Sequence, residues 1–338
     1  MTAELPGLDL DAFRTWFEQA CPGEVTGSLS GSLIPGGKSN LTYVVGDGHR
    51  EWVVRRPPLG HVLATAHDMT REHRVMTALH DTDVPVPRTY ALCEDEDVLG
   101  SPFYVMERVH GTPYRTAGEL AALGPDRTAA IARRTVETLA TLHSVDPAAV
   151  GLDDFGRPEG FLERQVRRWK KQLDASRSRP LKGADELHDL LAAGIPAEQT
   201  PAIVHGDYRL DNLLLDQHDR VAAVLDWEMA TLGDPLTDVA LMLVYGDLAR
   251  LTDSVADAAS APGYLAGDEV VALYAERSGR DPSAMGFYLG LASFKLAVIL
   301  EGIHFRHTQG QTVGEGFDSI GAAVEPLLAT GLTSLKEH

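Results

Sequence analysis

The chain has 338 residues, 44% hydrophobic and 23% charged, with a formal net charge of −19 at pH 7. That balance excludes a disordered chain and leaves room for one large bilobal domain or two substantial cores. The acidic excess argues against general binding to nucleic acid or anionic membrane, and two widely spaced cysteines, Cys21 and Cys93, argue against a disulfide framework or a thiolate metal site.

The longest apolar runs, such as Leu241 to Tyr245, are too short to cross a bilayer, and Met1 to Asp11 lacks the basic and apolar regions of a signal peptide. A cytoplasmic protein is expected. Asp9 to Ala20 has helical periodicity, with Phe13, Trp16 and Phe17 on one face and Asp9 or Asp11 as a cap. Three strand-like runs follow, Ser28 to Ile34, Leu41 to Val45 and Glu51 to Arg56, which predict an antiparallel sheet. The loop Pro35-Gly36-Gly37-Lys38-Ser39-Asn40 can bring backbone N–H groups close to phosphates, although an ordinary hairpin loop has the same composition. On the third strand, alternation places Trp52 and Val54 on one face and Val53 and Arg55 on the other. Either Arg55 or Arg56 can be the inward cation.

A helix over Val62 to His80 carries Glu72, where a carboxylate can pair with Arg55 or stand in solvent. Strands at Arg88 to Cys93 and Phe103 to Val109 are joined by an acidic turn, and the first lobe, residues 1–108, ends there. Glu107 and Val109 stand where a backbone hinge would bind adenine. Residues 109–338 then read as mainly helical. Helices are expected up to His143, over Phe161 to Ala175, from Asp234 to Tyr245, and over Gly267 to Arg277, Ala284 to His307 and Gly314 to Ala329. The second of these presents Arg164, Arg167, Arg168, Lys170 and Lys171, either a solvated face or an anion-binding wall. Glu301, His304 and His307 recur at three-residue spacing, which suggests a metal site less readily than a pocket or core lining.

Ile203 to Trp227 holds the chemistry. It reads as a short apolar run, the loop His205-Gly206-Asp207-Tyr208-Arg209-Leu210-Asp211-Asn212, two short strands and Asp226. An HxDxxxxN loop followed by an apolar strand and an Asp suits phosphoryl transfer, with one Asp receiving the acceptor's proton and Asn and the second Asp holding Mg²⁺ against ATP phosphates. Asp207 is assigned the first role, and Asn212 and Asp226 the second. Asp211 and Asp216 are read as turn residues.

HGDYRLDN and VLDWE, together with GGKSN, VVRRPP, REHRVM, YVMERVHG and LGDPLTD, make nearly the whole chain resemble the aminoglycoside/choline kinase-like phosphotransferases. The branch it looks most like is also found fused to acyl-CoA dehydrogenases. The resemblance implies an α+β, bilobal protein-kinase-like fold, with an N-terminal antiparallel sheet lobe, a larger helical C-terminal lobe and an ATP cleft between them. It further implies Mg²⁺, phosphorylation of a small-molecule hydroxyl, and a functional link to an acyl-CoA dehydrogenase. Gly36, Gly37, Ser39, Asn40, Arg55, Glu72, Glu107 and Val109 would then serve the nucleotide, with Arg55 in place of the family's usual Lys. Only seven residues separate Asp226 from Asp234, too few for an activation loop, which favours a small acceptor over a protein. An anionic hydroxyacyl-CoA is the leading acceptor, with Arg164, Arg167, Arg168, Glu301 and His304 as its candidate contacts. An aminoglycoside, another antibiotic, a sugar or an amino alcohol is the alternative acceptor, and a nucleotide-binding pseudokinase the alternative function.

Overall fold

The Asp9 carboxylate accepts the backbone N–H groups of Asp11 and Ala12 and starts the helix Leu10–Ala20 (α1), which buries Phe13 and Phe17. The computed structural model describes residues 5–35, 40–60, 68–251, 256–311 and 320–337. It divides into two compact units, Met1–Gly111 with Ala222–Ala230, and Thr112–Val221 with Thr231–His338.

In the first unit the strands Ser30–Leu33 (β1), Leu41–Gly46 (β2), Glu51–Arg56 (β3), Thr89–Cys93 (β4) and Phe103–Glu107 (β5) form an antiparallel sheet in the order β1-β2-β3-β5-β4. Val54 lies opposite Tyr43 on one side and Val105 on the other. As alternation requires, Trp52 and Val54 turn into the core with α1, where the Phe17 and Trp52 rings meet edge-on at 5.5 Å. The helix Met69–Leu79 (α2) begins at Asp68, whose side chain accepts the N–H of Arg71. Its expected start at Val62 lies outside the described residues. β4 and β5 are joined through a short helix, Glu96–Leu99 (α3), rather than a plain turn; Asp95 caps it and Gly100, with φ 81°, closes it.

The unit extends three residues past the expected boundary at 108 and also claims Ala222–Ala230. Hydrogen bonds account for the second difference: Val224 N–H donates to Pro85 O at 2.8 Å and the Arg71 guanidinium to Ala230 O at 3.1 Å. Cys21 and Cys93 are both unpaired thiols.

The second unit holds the helices Ala117–Ala121 (α4), Pro125–Ser144 (α5), Phe161–Ser176 (α6), Ala184–Ala193 (α7), Leu236–Leu251 (α8), Gly267–Ser278 (α9), Met285–Thr308 (α10) and Val324–Glu337 (α11). Short strands Ala202–Val204 (β6) and Leu213–Leu215 (β7) precede Val221–Val224 (β8), where the chain passes into the first unit; Thr231–Gly233 (β9) follows its return. Neither α7 nor β9 is foreseen from sequence; β9, at three residues, is too short to carry a periodic signal. The last helix begins at Val324 instead of Gly314, and residues 312–319 lie outside the description.

α10 corrects the reading of the apolar runs. Over 24 residues it is long and apolar enough to cross a membrane, with mean hydropathy 1.5 in its most apolar window, yet 78% of that window is buried inside the protein. It is a core helix packed against α11, α8 and α6. Gly290 and Gly331 permit the close approach to α11, since a Cβ at Gly331 would stand 3.1 Å from the Ser293 Cβ and 3.3 Å from Gly290 O.

Candidate active site

β6 pairs antiparallel with β9, Ile203 opposite Leu232, and delivers His205 at its end. The turn that follows is held by one carboxylate in the first turn of α8: Asp238 accepts the N–H of His205 at 2.6 Å and of Gly206 at 2.8 Å. Asp238 is 1% exposed and also meets His143 Nε2 at 3.2 Å, while His143 Nδ1 reaches the Tyr274 hydroxyl at 2.8 Å. Burial alone would raise the Asp238 carboxyl, but the His143 hydrogen bond and the nearby His205 hold it below the usual range. Gly206 has φ 83°, a left-handed conformation that costs an L-residue energy, which explains the glycine inside this loop.

Asp207 stands next in the turn. Its Oδ1 accepts the Tyr245 hydroxyl at 2.7 Å, and its Oδ2 accepts Asn212 Nδ2 at 3.2 Å. The same amide nitrogen donates to the Asp207 main-chain oxygen at 2.9 Å, fixing Asn212 against the turn through its nitrogen, while its Oδ1 takes no part in either bond. The Lys295 ammonium donates to Gly206 O at 3.0 Å. Burial raises the Asp207 carboxyl, against opposing effects of Tyr245, Arg209, His205 and Lys295, and burial lowers the Lys295 ammonium. Arg209 lies over the Tyr245 ring, 4.6 Å from its centre, and is gripped by both oxygens of Asp211. Asp216 has the expected turn role, accepting the N–H groups of His218 and Arg220.

The first unit carries a separate charged group. Arg55 pairs with Glu72 at 2.9 Å and with Asp226 Oδ1 at 2.5 Å. Arg56 is 4% exposed and donates to the Gly7 and Leu99 carbonyls. Glu72 is buried and accepts the Tyr104 hydroxyl at 2.9 Å; burial raises its carboxyl despite the Arg55 charge. Asp226 has φ 66° and ψ 63°, a left-handed residue at the end of β8. Such strain in a non-glycine residue persists only where the surroundings enforce it, and Arg55 is one such restraint.

Gly36, Gly37 and Ser39 lie outside the described residues, while Asn40 is buried with its amide near Glu72 at 3.4 Å and Glu228 at 3.2 Å. Asn40 is therefore held between two carboxylates. Glu107 N–H is spent on Arg88 O at 2.8 Å, and Val109 follows β5 half-buried.

The basic face of α6 is laced with its own acids and carbonyls. Arg164 donates to the Glu159 and Arg157 carbonyls, Arg167 stands 3.7 Å from Glu163 with 68% exposure, and Lys170 pairs with Asp174 at 2.5 Å. Arg168 lies over the Trp169 ring at 5.4 Å. The solvated reading of this face is the one these contacts favour.

Glu301 is fully buried and its carboxylate is consumed by the Ser178 hydroxyl at 3.0 Å and Arg179 at 3.0 Å. His304 packs on Gly321, where a Cβ would come 2.7 Å from its Nδ1. Among the described residues no group of three His, Cys, Asp or Glu side chains gathers to hold a metal. Glu301 thus serves as an internal brace. Arg179→Ala should lower the unfolding free energy by about 1–3 kcal/mol, because it leaves a buried carboxylate with Ser178 as its remaining partner. Urea denaturation measures it, and a loss under about 0.5 kcal/mol, the range of an ordinary surface substitution, would contradict the bracing role.

Sequence reasoning missed Tyr245 and Lys295. The second had a legible signal, being the sole charged residue between Met285 and Leu300 of an otherwise apolar helix. Beside Tyr245 and Arg209 lies a small cavity of about 40 Å³, also lined by Arg115 and Tyr264. A cavity of about 760 Å³ shares Met242, Gly246, Ala259 and Tyr264 with it and is lined further by Val270, Val271, Met285 and Leu289, with Asp247, Asp268 and Asp281 among its polar groups.

Residues 30–280 match the sequence model of the phosphotransferase enzyme family, APH. The chain is 33% identical over 334 residues to acyl-CoA dehydrogenase family member 11 of Rattus norvegicus, which covers 96% of this chain but only 43% of that protein. The chain therefore spans less than half the length of this curated relative. The crystal structure of a candidate aminoglycoside phosphotransferase from Ralstonia eutropha is 35% identical, with TM-score 0.86, covering 97% of this chain and 98% of that one. A ternary complex of streptomycin, ATP and APH(2")-IIa, at 15% identity and TM-score 0.57 over 98% and 97% of the two chains, shows likeness of fold alone. The family match across most of the chain and the near-complete correspondence with the Ralstonia structure lead to one conclusion, that this chain belongs to the APH phosphotransferase family and has its protein-kinase-like fold.

Proposed function

We propose that this phosphotransferase moves the γ-phosphoryl group of ATP to a hydroxyl of a small molecule, in the cytoplasm, with Asp207 as the group that receives the hydroxyl proton. The observation that carries the reading is the Asp207 carboxylate itself, held at one oxygen by Tyr245 and at the other by Asn212, with burial raising its affinity for a proton. Its donors aim at it the way an acceptor O–H must. Oxygen donors suit Mg²⁺, and each unit offers one by its own chemistry: Asn212 its Oδ1 in the second unit, and Asp226 in the first its Oδ2, the oxygen not held by Arg55. When bound, Mg²⁺ would neutralise charge on the nucleotide's phosphate oxygens. Arg55 supplies a fixed positive charge for the same phosphates.

For the acceptor we favour a hydroxyacyl-CoA. The apolar lining of the 760 Å³ cavity suits a hydrocarbon chain, and Lys295 and Arg209 put two cations near Asp207 for an anionic substrate. The relative named as an acyl-CoA dehydrogenase family member points the same way. A cationic aminoglycoside is the second reading, supported by Asp247, Asp268 and Asp281 on the same cavity and by the −19 net charge, although bulk charge is screened beyond about 8 Å at physiological salt. Comparing kcat/KM for 3- and 4-hydroxyacyl-CoA with that for kanamycin, by ADP release at several salt concentrations, separates them. Turnover of the acyl-CoA with kanamycin inert is expected. Efficient kanamycin phosphorylation without acyl-CoA turnover would assign the aminoglycoside, and ATP binding with no turnover of any hydroxylated acceptor would favour a pseudokinase.

A further inference from the structure

We infer that the Tyr245 hydroxyl holds the place of the acceptor hydroxyl on Asp207 and so keeps water from using that base when no acceptor is bound. The inference rests on the phosphotransferase reading above. Each oxygen of Asp207 already accepts one donor, so an acceptor hydroxyl that comes to give up its proton meets an atom held by Tyr245 or by Asn212, and takes that donor's place or shares the oxygen with it. Asn212 is the harder one to move, since its amide is bonded twice, to Oδ2 and to the Asp207 main-chain oxygen. Tyr245 makes a single bond to Oδ1, at 2.7 Å, and presents the chemistry an alcohol would present, an O–H donating to a carboxylate.

The surroundings support a placeholder rather than a reactant. Burial raises the Tyr245 phenol well above its ordinary value, with Asp207 adding to the effect, so the oxygen stays protonated as a donor. Arg209 over the ring holds the resting position, and Asp211 holds Arg209. The small cavity lined by Tyr245, Arg115 and Tyr264 gives the ring a direction in which to yield. The remaining charged groups around Asp207 are His205 and Arg209 in its own loop and Lys295 from α10, none of which is an alcohol-like donor.

The reaction held back is hydrolysis. A water oxygen bonds to the γ-phosphorus as the bond from that phosphorus to the β–γ bridging oxygen breaks; the water's proton passes to Asp207, and ADP and inorganic phosphate leave. Tyr245 acts as a positioning residue that denies water this route. Loss of function after substitution would not test this role, whereas a gain of hydrolysis that requires Asp207 does.

The test measures ADP and phosphate release from Mg·ATP without acceptor, in the full chain, for wild type, Tyr245→Phe, Tyr245→Leu and the double variant Asp207→Asn/Tyr245→Phe. Tyr245→Phe should hydrolyse ATP roughly tenfold faster than wild type, about the worth of one hydrogen bond that water no longer has to displace, with KM for ATP unchanged. Tyr245→Leu should be at least as fast, and the double variant should fall back to the wild-type level or below. Hydrolysis by both single variants at or below wild type would overturn the inference, as would a gain that survives loss of Asp207. A wild type that fails to bind Mg·ATP by calorimetry would instead count against the phosphotransferase reading, whatever the Tyr245 variants do.

Discussion

Asp207→Asn should lower turnover by roughly 10² to 10⁴ while leaving Mg·ATP affinity within about twofold, the usual consequence of removing a positioned acid–base group. The substitution keeps the shape of the side chain and an oxygen that can still accept the Tyr245 hydroxyl at the observed 2.7 Å, so the turn should survive. What it removes is the capacity to take a proton. Asp238, outside the reaction, continues to hold His205 and Gly206 through their N–H groups. Steady-state kinetics with the true acceptor and calorimetry with Mg·ATP are the two measurements. Wild-type turnover in Asp207→Asn would remove Asp207 from the role of base.

For Asp226→Asn the expected effect is on binding, a loss of Mg²⁺-dependent ATP affinity of about a hundredfold or more. Even outer partners of a bound metal cost 10–100-fold when removed, and a ligand should cost at least the upper end of that range. Asn is chosen over Ala because the position has φ 66°, which Asn tolerates better than other non-glycine residues, so backbone strain is not confounded with charge. Arg55 would keep its other partner, Glu72 at 2.9 Å, and should stay in place. Titration calorimetry with and without Mg²⁺ separates metal-dependent from metal-independent affinity. An unchanged Mg·ATP affinity would show that Asp226 is not the metal's carboxylate.

Sequence reading went furthest where the signal is local. Period-two alternation assigned Trp52 and Val54 to the core face of β3 and Arg55 to the other, because successive side chains on a strand must point oppositely. The motif around Asp207 was legible for a related reason: a tight turn requires particular residues at fixed spacing, and Asn212 reaches back five residues to Asp207 within that turn. The pairing of Arg55 with Glu72 was readable from the order of a cation on a strand and a carboxylate on the following helix.

Tertiary structure alone decided the rest. Nothing near Asp207 in the chain announces Tyr245, 38 residues on, or Lys295 on α10, because which helix faces a loop depends on how the whole apolar surface of the unit is buried. The basic run of α6 illustrates the limit from the other side. Spacing puts five cations on one helix, but only the fold shows Arg164 turned onto carbonyls and Lys170 onto Asp174. Glu301 and His304, whose period left a metal site open beside a pocket or core lining, are a buried brace and a packing surface, since a carboxylate taken out of water must find donors wherever the fold provides them, here Ser178 and Arg179. Sequence by itself determined most of the strands and helices, the facing residues of β3 and the residue pattern of one loop; the folded chain decided which distant donors and charges surround that loop, because long-range packing has no period that a linear pattern can carry.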